Sequence, residues 1–316
     1  MADKKIIAVV GATGAQGGGL ARAILADKGG DFAVRAITRK PDSEKARALA
    51  AQGAEVVAGD ADDPSSLEGA FAGAYGAYCV TNFWEHGEPE RELRQATALA
   101  RATKKAGLKH VVWSTLEDTR KDVPLADTRL KTLKGQYKVP HFDAKGEANA
   151  VFEAEGAPSS YILAAFYWDN FIHFGAGPRK QEDGSLVLAL PLGGQKLPGI
   201  GAEDIGGCAY GIFKRGPSVA GQSFGIAGET LSGEEMAAKL GKALGQNVAF
   251  YDMPFDAYRA LGFPGADDMG NMFEYQMLLG ETFLKARDPK LTRELYPATR
   301  DFDAWLRDHA SQIPIG

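Results

Sequence analysis

Apolar and polar positions alternate along the first half of the chain in a way that predicts strands separated by helices. Ile6 to Val10 is an unbroken apolar run that ends in glycine, which is typical of a strand buried on both faces of a parallel sheet. The next segment, Gly17 to Lys28, has apolar residues at helical spacing. The same alternation predicts further strands at 32–38, 55–58, 75–81 and 110–114, and further helices at 43–52, 64–71 and 88–106. Such a series predicts an α/β fold with a doubly wound parallel sheet of the Rossmann type.

The pattern changes after about residue 170, where glycine and proline become frequent and the elements become shorter. A helix is predicted at 232–244 and a strand at 248–253. We therefore expect a Rossmann domain over residues 1–170 and a smaller C-terminal α+β lobe over 171–316, with some segments of the lobe free to return to the sheet. Ligands of such folds bind outside the carboxyl ends of the strands, so the cleft between sheet and lobe is the expected site.

A glycine-rich turn directly after the first strand predicts a dinucleotide site. Gly11-Ala12-Thr13-Gly14-Ala15-Gln16-Gly17 has the spacing GxxGxxG and opens the first helix. The first glycine permits a tight turn, the second lets the backbone approach a pyrophosphate, and the third allows close helix packing. The alternative is a glycine-rich turn that binds no ligand.

The end of the second strand favours NADP(H) over NAD(H). NAD enzymes usually carry an acidic residue there for the ribose hydroxyls, whereas this chain has Thr38-Arg39-Lys40. The guanidinium of Arg39 can form charge-assisted bonds to a 2′-phosphate. The alternative is a solvated basic corner.

Two further segments follow strands at the same edge of the sheet. Asp60, after the third strand, is a candidate acceptor for the adenine amino group. Thr81-Asn82-Phe83, after the fourth strand, lies at the expected height of the ribose and nicotinamide. A polar turn with an aromatic plug explains the second segment equally well.

Composition excludes several other classes of function. The formal net charge is −5 and the pI is about 5.7, which argues against direct binding of nucleic acid. Cys79 and Cys208 are the two cysteines, and both stand in apolar runs, so neither a disulfide scaffold nor a metal site is predicted. No window approaches a membrane span. We expect a protein that is cytoplasmic, or both cytoplasmic and nuclear.

Several segments together resemble the NmrA-like branch of the atypical short-chain dehydrogenases, including its NADPH-sensing members. The segments are GATGAQGG at the first turn, TRKP, QGAEVVAGDADD, VTNFWE, HFDAKGE, YWDN and the late LGFPGADDMGNMF. The resemblance implies a Rossmann lobe, NADP(H) binding, and a regulatory role exercised through self-association or a protein partner. Beyond the glycine turn, it implies cofactor contacts from Arg39, Lys40, Asp60, Ala61, Thr81, Asn82, Phe83, Arg94, Lys145, Tyr167, Trp168, Asp169 and Asn170.

The sequence departs from the family at some of these positions. Asp42-Ser43 lacks basic residues that some relatives carry beside the 2′-phosphate, and Ala61 differs as well. For the aromatic run at 166–168, a wall of the nicotinamide pocket and packing between the lobes are equally good interpretations.

Catalytic chemistry is only partly represented in the sequence. Short-chain dehydrogenases use Tyr-x-x-x-Lys on one helical face, and here the corresponding positions are His141 and Lys145. Tyr137 precedes Pro140 and is not expected to share that face. Ser114 stands where these dehydrogenases hold a serine. The candidate catalytic residues are therefore Lys145, His141 and Ser114, without the tyrosine. The alternatives are a polar turn at the start of a helix for His141 and a strand-end hydroxyl for Ser114.

The incomplete pair makes an NADP(H)-binding redox sensor or regulator the leading hypothesis, with no enzymatic activity required. The alternative is an NADPH-dependent reductase of a small quinone, aldehyde or enone that uses Lys145 and His141. A third hypothesis is an interaction module whose nucleotide is structural.

Overall fold

The apolar runs of the first half form one large parallel sheet in a computed structural model, which describes residues 4–315. The elements up to this sheet's sixth strand are β1 (Lys5–Val10), α1 (Ala15–Ala26), β2 (Phe32–Thr38), α2 (Glu44–Ala51), β3 (Glu55–Ala58), α3 (Pro64–Phe71), β4 (Gly76–Cys79), α4 (Pro89–Lys105), β5 (His110–Thr115), α5 (Pro140–Ala154) and β6 (Ser159–Leu163). All strands and helices predicted in this part are present, with ends shifted by a few residues.

The second half contains shorter elements. They are β7 (Phe166–Tyr167), α6 (Asn170–His173), β8 (Arg179–Lys180), β9 (Leu186–Leu190), β10 (Leu197–Ile200), α7 (Ala202–Arg215), β11 (Ser223–Gly225), β12 (Glu229–Leu231), α8 (Gly233–Leu244), β13 (Val248–Asp252), α9 (Phe255–Arg259), α10 (Ala266–Leu279), α11 (Glu281–Lys285), α12 (Pro289–Leu295) and α13 (Phe302–His309). The helix and the strand predicted after residue 230 correspond to α8 and β13.

The large sheet has seven strands in the order β11-β6-β5-β4-β1-β2-β3, and every pair is parallel. The chain starts in the middle of this sheet, so β1 lies between β2 and β4. The strand order reverses at β1, and the turn after it lies beside the turn after β4. The predicted doubly wound fold is confirmed, and its switch point brings these two turns together.

Two segments from beyond residue 170 return to this sheet. Strand β11 pairs with β6 at one edge, and α7 packs against α1. Glycines make that helix contact close: a Cβ at Gly19 would overlap the carbonyl oxygen of Glu203, and one at Gly206 would overlap the backbone nitrogen of Leu20. The glycine run at the start of α1 therefore serves helix packing as well as the turn.

The remaining elements form two three-stranded sheets, β12-β10-β7 and β13-β9-β8, with helices around them. Their core is aromatic, with Trp168, Phe302 and Trp305 at 1% exposure or less. Among residues 4–315, no helix is long and apolar enough to cross a membrane, and no cluster of three His, Cys, Asp or Glu side chains could hold a metal ion.

Candidate functional site

The turn after β1 has the geometry of an anion cradle. Gly11 has φ +65°, a conformation that other residues rarely adopt. A Cβ at Gly17 would lie 2.5 Å from the Gly11 carbonyl oxygen. Gly14 caps α1 without a side-chain hydrogen bond, so the first N–H groups of the helix stay available to an anion. These residues fit the pyrophosphate of a dinucleotide.

Gln16 contacts β4 and β5 at the carboxyl edge of the large sheet, and β7 of a smaller sheet. Its Oε1 accepts hydrogen bonds from the Tyr78 hydroxyl and from Ser114 Oγ, the latter at 2.9 Å. Its Nε2 donates to the Tyr167 hydroxyl at 2.6 Å. Burial raises the pKa of both phenols above the ordinary range, so each remains protonated at neutral pH. Neither tyrosine is therefore suited to act as a general base.

Lys145 lies in a nearly closed polar site next to the turn after β4. Its Nζ donates to Thr81 Oγ1 at 2.8 Å and to the Thr81 carbonyl oxygen at 3.1 Å, and it forms an ion pair with Glu92 Oε1 at 2.6 Å. Glu92 is fully buried, accepts a hydrogen bond from Thr81 Oγ1, and has His86 Nε2 at 3.6 Å from its other oxygen. Lys145 is thus held in position by Thr81 and a carboxylate.

His141 stands one helical turn before Lys145, in the first turn of α5. Asp268 accepts a hydrogen bond from the His141 backbone N–H at 3.1 Å and lies 2.6 Å from the ring nitrogen Nδ1. The Trp84 ring centroid is 4.8 Å from that of His141. A carboxylate at Nδ1 leaves Nε2 as the nitrogen that can transfer a proton and stabilises the imidazolium. The sequence suggested a polar turn for His141, whereas the structure buries it in a pair with Asp268.

Asp268 belongs to a polar face of α10 that contacts the segment before α5. Asn271 Nδ2 donates to the carbonyl oxygens of Lys131 and Lys138, at 2.8 and 2.6 Å. The Tyr275 hydroxyl donates to Asp122 at 2.7 Å. Positions 268, 271 and 275 lie on one side of a helix. The late segment LGFPGADDMGNMF therefore docks the C-terminal part onto the start of α5.

The corner after β2 contains more negative charge than the sequence suggested. Arg39 forms an ion pair with Glu85 at 2.7 Å, while Lys40 is exposed. Asp60 accepts the Asp62 backbone N–H at 3.0 Å, and Arg91 pairs with Asp62 at 2.7 Å. The Asp60 carboxylate thus stabilises its own turn, and Arg39 has a protein partner.

The other residues expected to contact the cofactor differ in their surroundings. Phe83 is buried under the turn after β4, Asn82 and Arg94 are exposed, and Ala61 is partly exposed. The Trp168 ring packs against Phe302 and Trp305. For Trp168, packing in the core is therefore the better of the two interpretations, and a wall of the nicotinamide pocket is not. Asp169 caps α7 through the Ala202 N–H, and Asn170 begins α6.

Sequence reasoning missed four residues of the site, namely Tyr78, Glu85, Glu92 and Asp268. The sequence signal for Glu92 is weak, because an acidic residue in the first turn of a helix is common. Its burial is visible only in the structure. The signal for Asp268 lay only in the family-like late segment, because nothing local links it to a histidine 127 positions earlier.

The sequence is similar to that of a known protein family. The model of the NmrA-like family matches residues 3–306. The NmrA-like family domain-containing oxidoreductase FrzB of Cladobotryum sp. is 30% identical over 87% of this chain and 84% of its own length.

Solved structures share the fold. The negative transcriptional regulator NmrA, solved with NADP and also with NAD, superposes with a TM-score of 0.75 at 22% identity, over 98% of this chain and 96% of that chain. The triphenylmethane reductase of Citrobacter sp. complexed with NADP(H) has a TM-score of 0.74 at 19% identity, over 96% and 99% of the two chains.

Proposed function

The chain belongs to the NmrA-like family, and on this premise we propose that it is an NADPH-dependent reductase of a small quinone, aldehyde or enone. The observation that carries the proposal is the His141–Asp268 pair, one helical turn before Lys145. In the sequence, the absence of the tyrosine favours a sensor over an enzyme. In the structure, a histidine held by a carboxylate can donate the proton that the tyrosine would otherwise donate. Relatives of the chain are also named oxidoreductases.

In this proposal the cofactor binds along the carboxyl edge of the large sheet. The turn from Gly11 to Gly17 receives the pyrophosphate on the free N–H groups of α1. Arg39 receives the 2′-phosphate, with Lys40 beside it. The residues assigned to the adenine, ribose and nicotinamide are Asp60, Ala61, Thr81, Asn82, Phe83, Arg94, Lys145, Tyr167 and the backbone from Trp168 to Asn170.

The chemistry assigned to the protein is proton transfer. Bound NADPH supplies the hydride that reduces the electrophilic carbon of the substrate. His141 Nε2 gives a proton to the oxygen or carbon that becomes basic, while Asp268 stabilises the imidazolium and fixes the ring. Neutral His141 then takes a proton from water, so each turnover consumes one NADPH and one proton.

Lys145 and Ser114 have supporting roles. The Lys145 ammonium, oriented by Thr81 and Glu92, binds ribose hydroxyls and adds positive charge beside the reacting groups. Ser114 Oγ keeps Gln16 in place across the sheet edge. A cytoplasmic location, where NADPH is available, is part of the proposal.

The test is a screen of small quinones, aldehydes and enones for substrate-dependent loss of NADPH absorbance. His141→Gln should lower kcat by about 100-fold or more, since a positioned general acid contributes roughly 10²–10⁴-fold, and should leave the Kd of NADPH unchanged. His173→Gln, at an exposed histidine of α6, is the matched control and should behave as wild type.

Two outcomes contradict the reductase. Either no compound in the panel oxidises NADPH, or His141→Gln turns over as fast as the His173→Gln control. If NADPH binds tightly but nothing is reduced, the second candidate replaces the first.

That second candidate is an NADP(H) sensor acting through self-association or a regulatory protein partner. Two contacts favour the sensor: the hydrogen bond from Gln16 to Tyr167 and the ion pair of Arg39 with Glu85. Both link elements on either side of the proposed cofactor site. A dinucleotide that replaced both contacts would change the positions of these elements relative to each other.

A further inference from the structure

The short turn Phe83–Glu85 contacts both ends of the proposed cofactor site. Phe83 anchors it, with only 3% of the residue exposed. The next residue, Trp84, lies against His141, with 4.8 Å between ring centroids. The third, Glu85, reaches back to Arg39, with 2.7 Å between the guanidinium and the carboxylate. The adenosine end and the candidate proton donor are thus connected by three consecutive residues.

Arg39 lies among carboxylates rather than in a purely basic corner. The hydrogen bond that Arg39 donates to Glu85 and the charges of Glu85, Asp60 and Asp62 raise the pKa of Arg39 above its ordinary value. Asp62 is already paired with Arg91. A phosphate dianion that binds Arg39 must therefore compete with Glu85 directly.

The Arg39–Glu85 pair is weak enough to be displaced. Its side chains are 52% and 41% exposed, and ion pairs this exposed contribute little to stability because water screens them. A phosphate with two negative charges forms stronger, bidentate bonds with the same guanidinium. Exchange of partners at Arg39 is thus favourable, although Glu85 reduces the gain.

We propose that Glu85 sets the selectivity of this chain for the 2′-phosphate and transmits its binding to the proton donor. When a 2′-phosphate takes Arg39, Glu85 is released, the turn shifts, and Trp84 changes its position against His141. The inference rests on the proposed NADP(H) site.

The fluorescence of Trp84 can be used to detect this shift. It is 43% exposed, whereas Trp113, Trp168 and Trp305 are at most 1% exposed. Acrylamide quenching of tryptophan fluorescence therefore reports mainly on Trp84. The probes are adenosine 2′,5′-bisphosphate and 5′-AMP, which both lack nicotinamide and differ from each other by the 2′-phosphate, so a difference between their effects comes from the phosphate at Arg39.

In wild type, the bisphosphate should change the quenching of Trp84 and 5′-AMP should not. Glu85→Gln should bind the bisphosphate about three- to tenfold more tightly, since the carboxylate that competes for Arg39 and repels the phosphate is removed. Its affinity for 5′-AMP should stay unchanged. Without ligand, the Glu85→Gln variant should show the same acrylamide quenching of Trp84 as wild type with the bisphosphate bound.

Glu88→Gln is the matched control, because it removes an exposed charge three residues away that does not pair with Arg39. It should reproduce the wild-type affinities and quenching. If Glu85→Gln and Glu88→Gln behave alike while wild type binds NADPH, the inference is overturned and the proposed function stands. If wild type binds neither NADPH nor the bisphosphate, both are overturned.

Discussion

Glu92 is the residue on which the position of Lys145 depends. It is fully buried, and its Oε1 contacts both Lys145 and Thr81. A buried carboxylate is costly unless paired, and removal of one partner leaves the other charge without compensation. Glu92 thus contributes to the site indirectly, by fixing the ammonium that faces the proposed cofactor.

Glu92→Gln should lower the free energy of unfolding by about 3 kcal/mol, as is typical when one member of a buried ion pair is removed. Urea denaturation at neutral pH measures this loss. The control is Glu90→Gln, an exposed carboxylate in the same turn of α4, which should cost less than about 0.5 kcal/mol. Equal losses in the two variants would show that the Glu92–Lys145 pair does not stabilise the fold.

At the scale of elements, the sequence predicted the large sheet well because its signals are local. Buried parallel strands are unbroken apolar runs, and the helices α2 and α3 begin after Ser43 and Asp63, which are residue types that commonly cap helices. The strand predicted at 75–81 is shorter, β4 (Gly76–Cys79), because the chain leaves the sheet before Thr81 to form the site.

The docking of α10 could not be predicted in the same way. The contacts of Asp268 and Asn271 join segments more than 120 residues apart, and no periodicity encodes such pairs. The likeness of the late segment to a family indicated that it matters, but its partner became visible only in the fold. For the same reason the sequence does not predict that His141 pairs with Asp268.

The start of β5 makes a pH-dependent contribution to stability. His110 is fully buried, its Nε2 lies 2.9 Å from Ser160 Oγ, and its Nδ1 has no hydrogen-bond partner within the described residues. The Ser160 hydroxyl donates to the Val219 carbonyl oxygen, so it accepts from Nε2–H, and a further proton would have to bind the isolated Nδ1. Burial accordingly lowers the pKa of His110 from 6.5 to about 4.

Because the unfolded chain takes up this proton at higher pH than the folded chain, His110 destabilises the fold as pH falls from about 6.5 towards 4. Wild type should lose about 1–2 kcal/mol more than His110→Gln between about pH 7 and about pH 5. Urea unfolding at the two pH values measures the difference. Identical pH dependence in both proteins would mean that His110 protonates freely in the fold.

At the scale of the whole molecule, the segments of the proposed site meet at one edge of the large sheet. The glycine turn, the turn after β4 and the start of α5 meet there because the strand order reverses at β1. The C-terminal part closes this edge through α10, and α7 returns to support α1 from behind. The large sheet and its helices therefore carry most of the proposed cofactor residues, and the smaller part supplies Asp268 and the proposed contacts at 167–170.

The most direct test of this account is a calorimetric titration of the wild-type chain with NADPH, NADP⁺ and NADH. The account predicts one site per chain and about tenfold tighter binding of NADPH than of NADH, because a charge-assisted bond contributes roughly 1.5–3 kcal/mol and Glu85 offsets part of it. Arg39→Asp should remove the difference. Equal, weak binding of all three nucleotides by wild type would contradict the account.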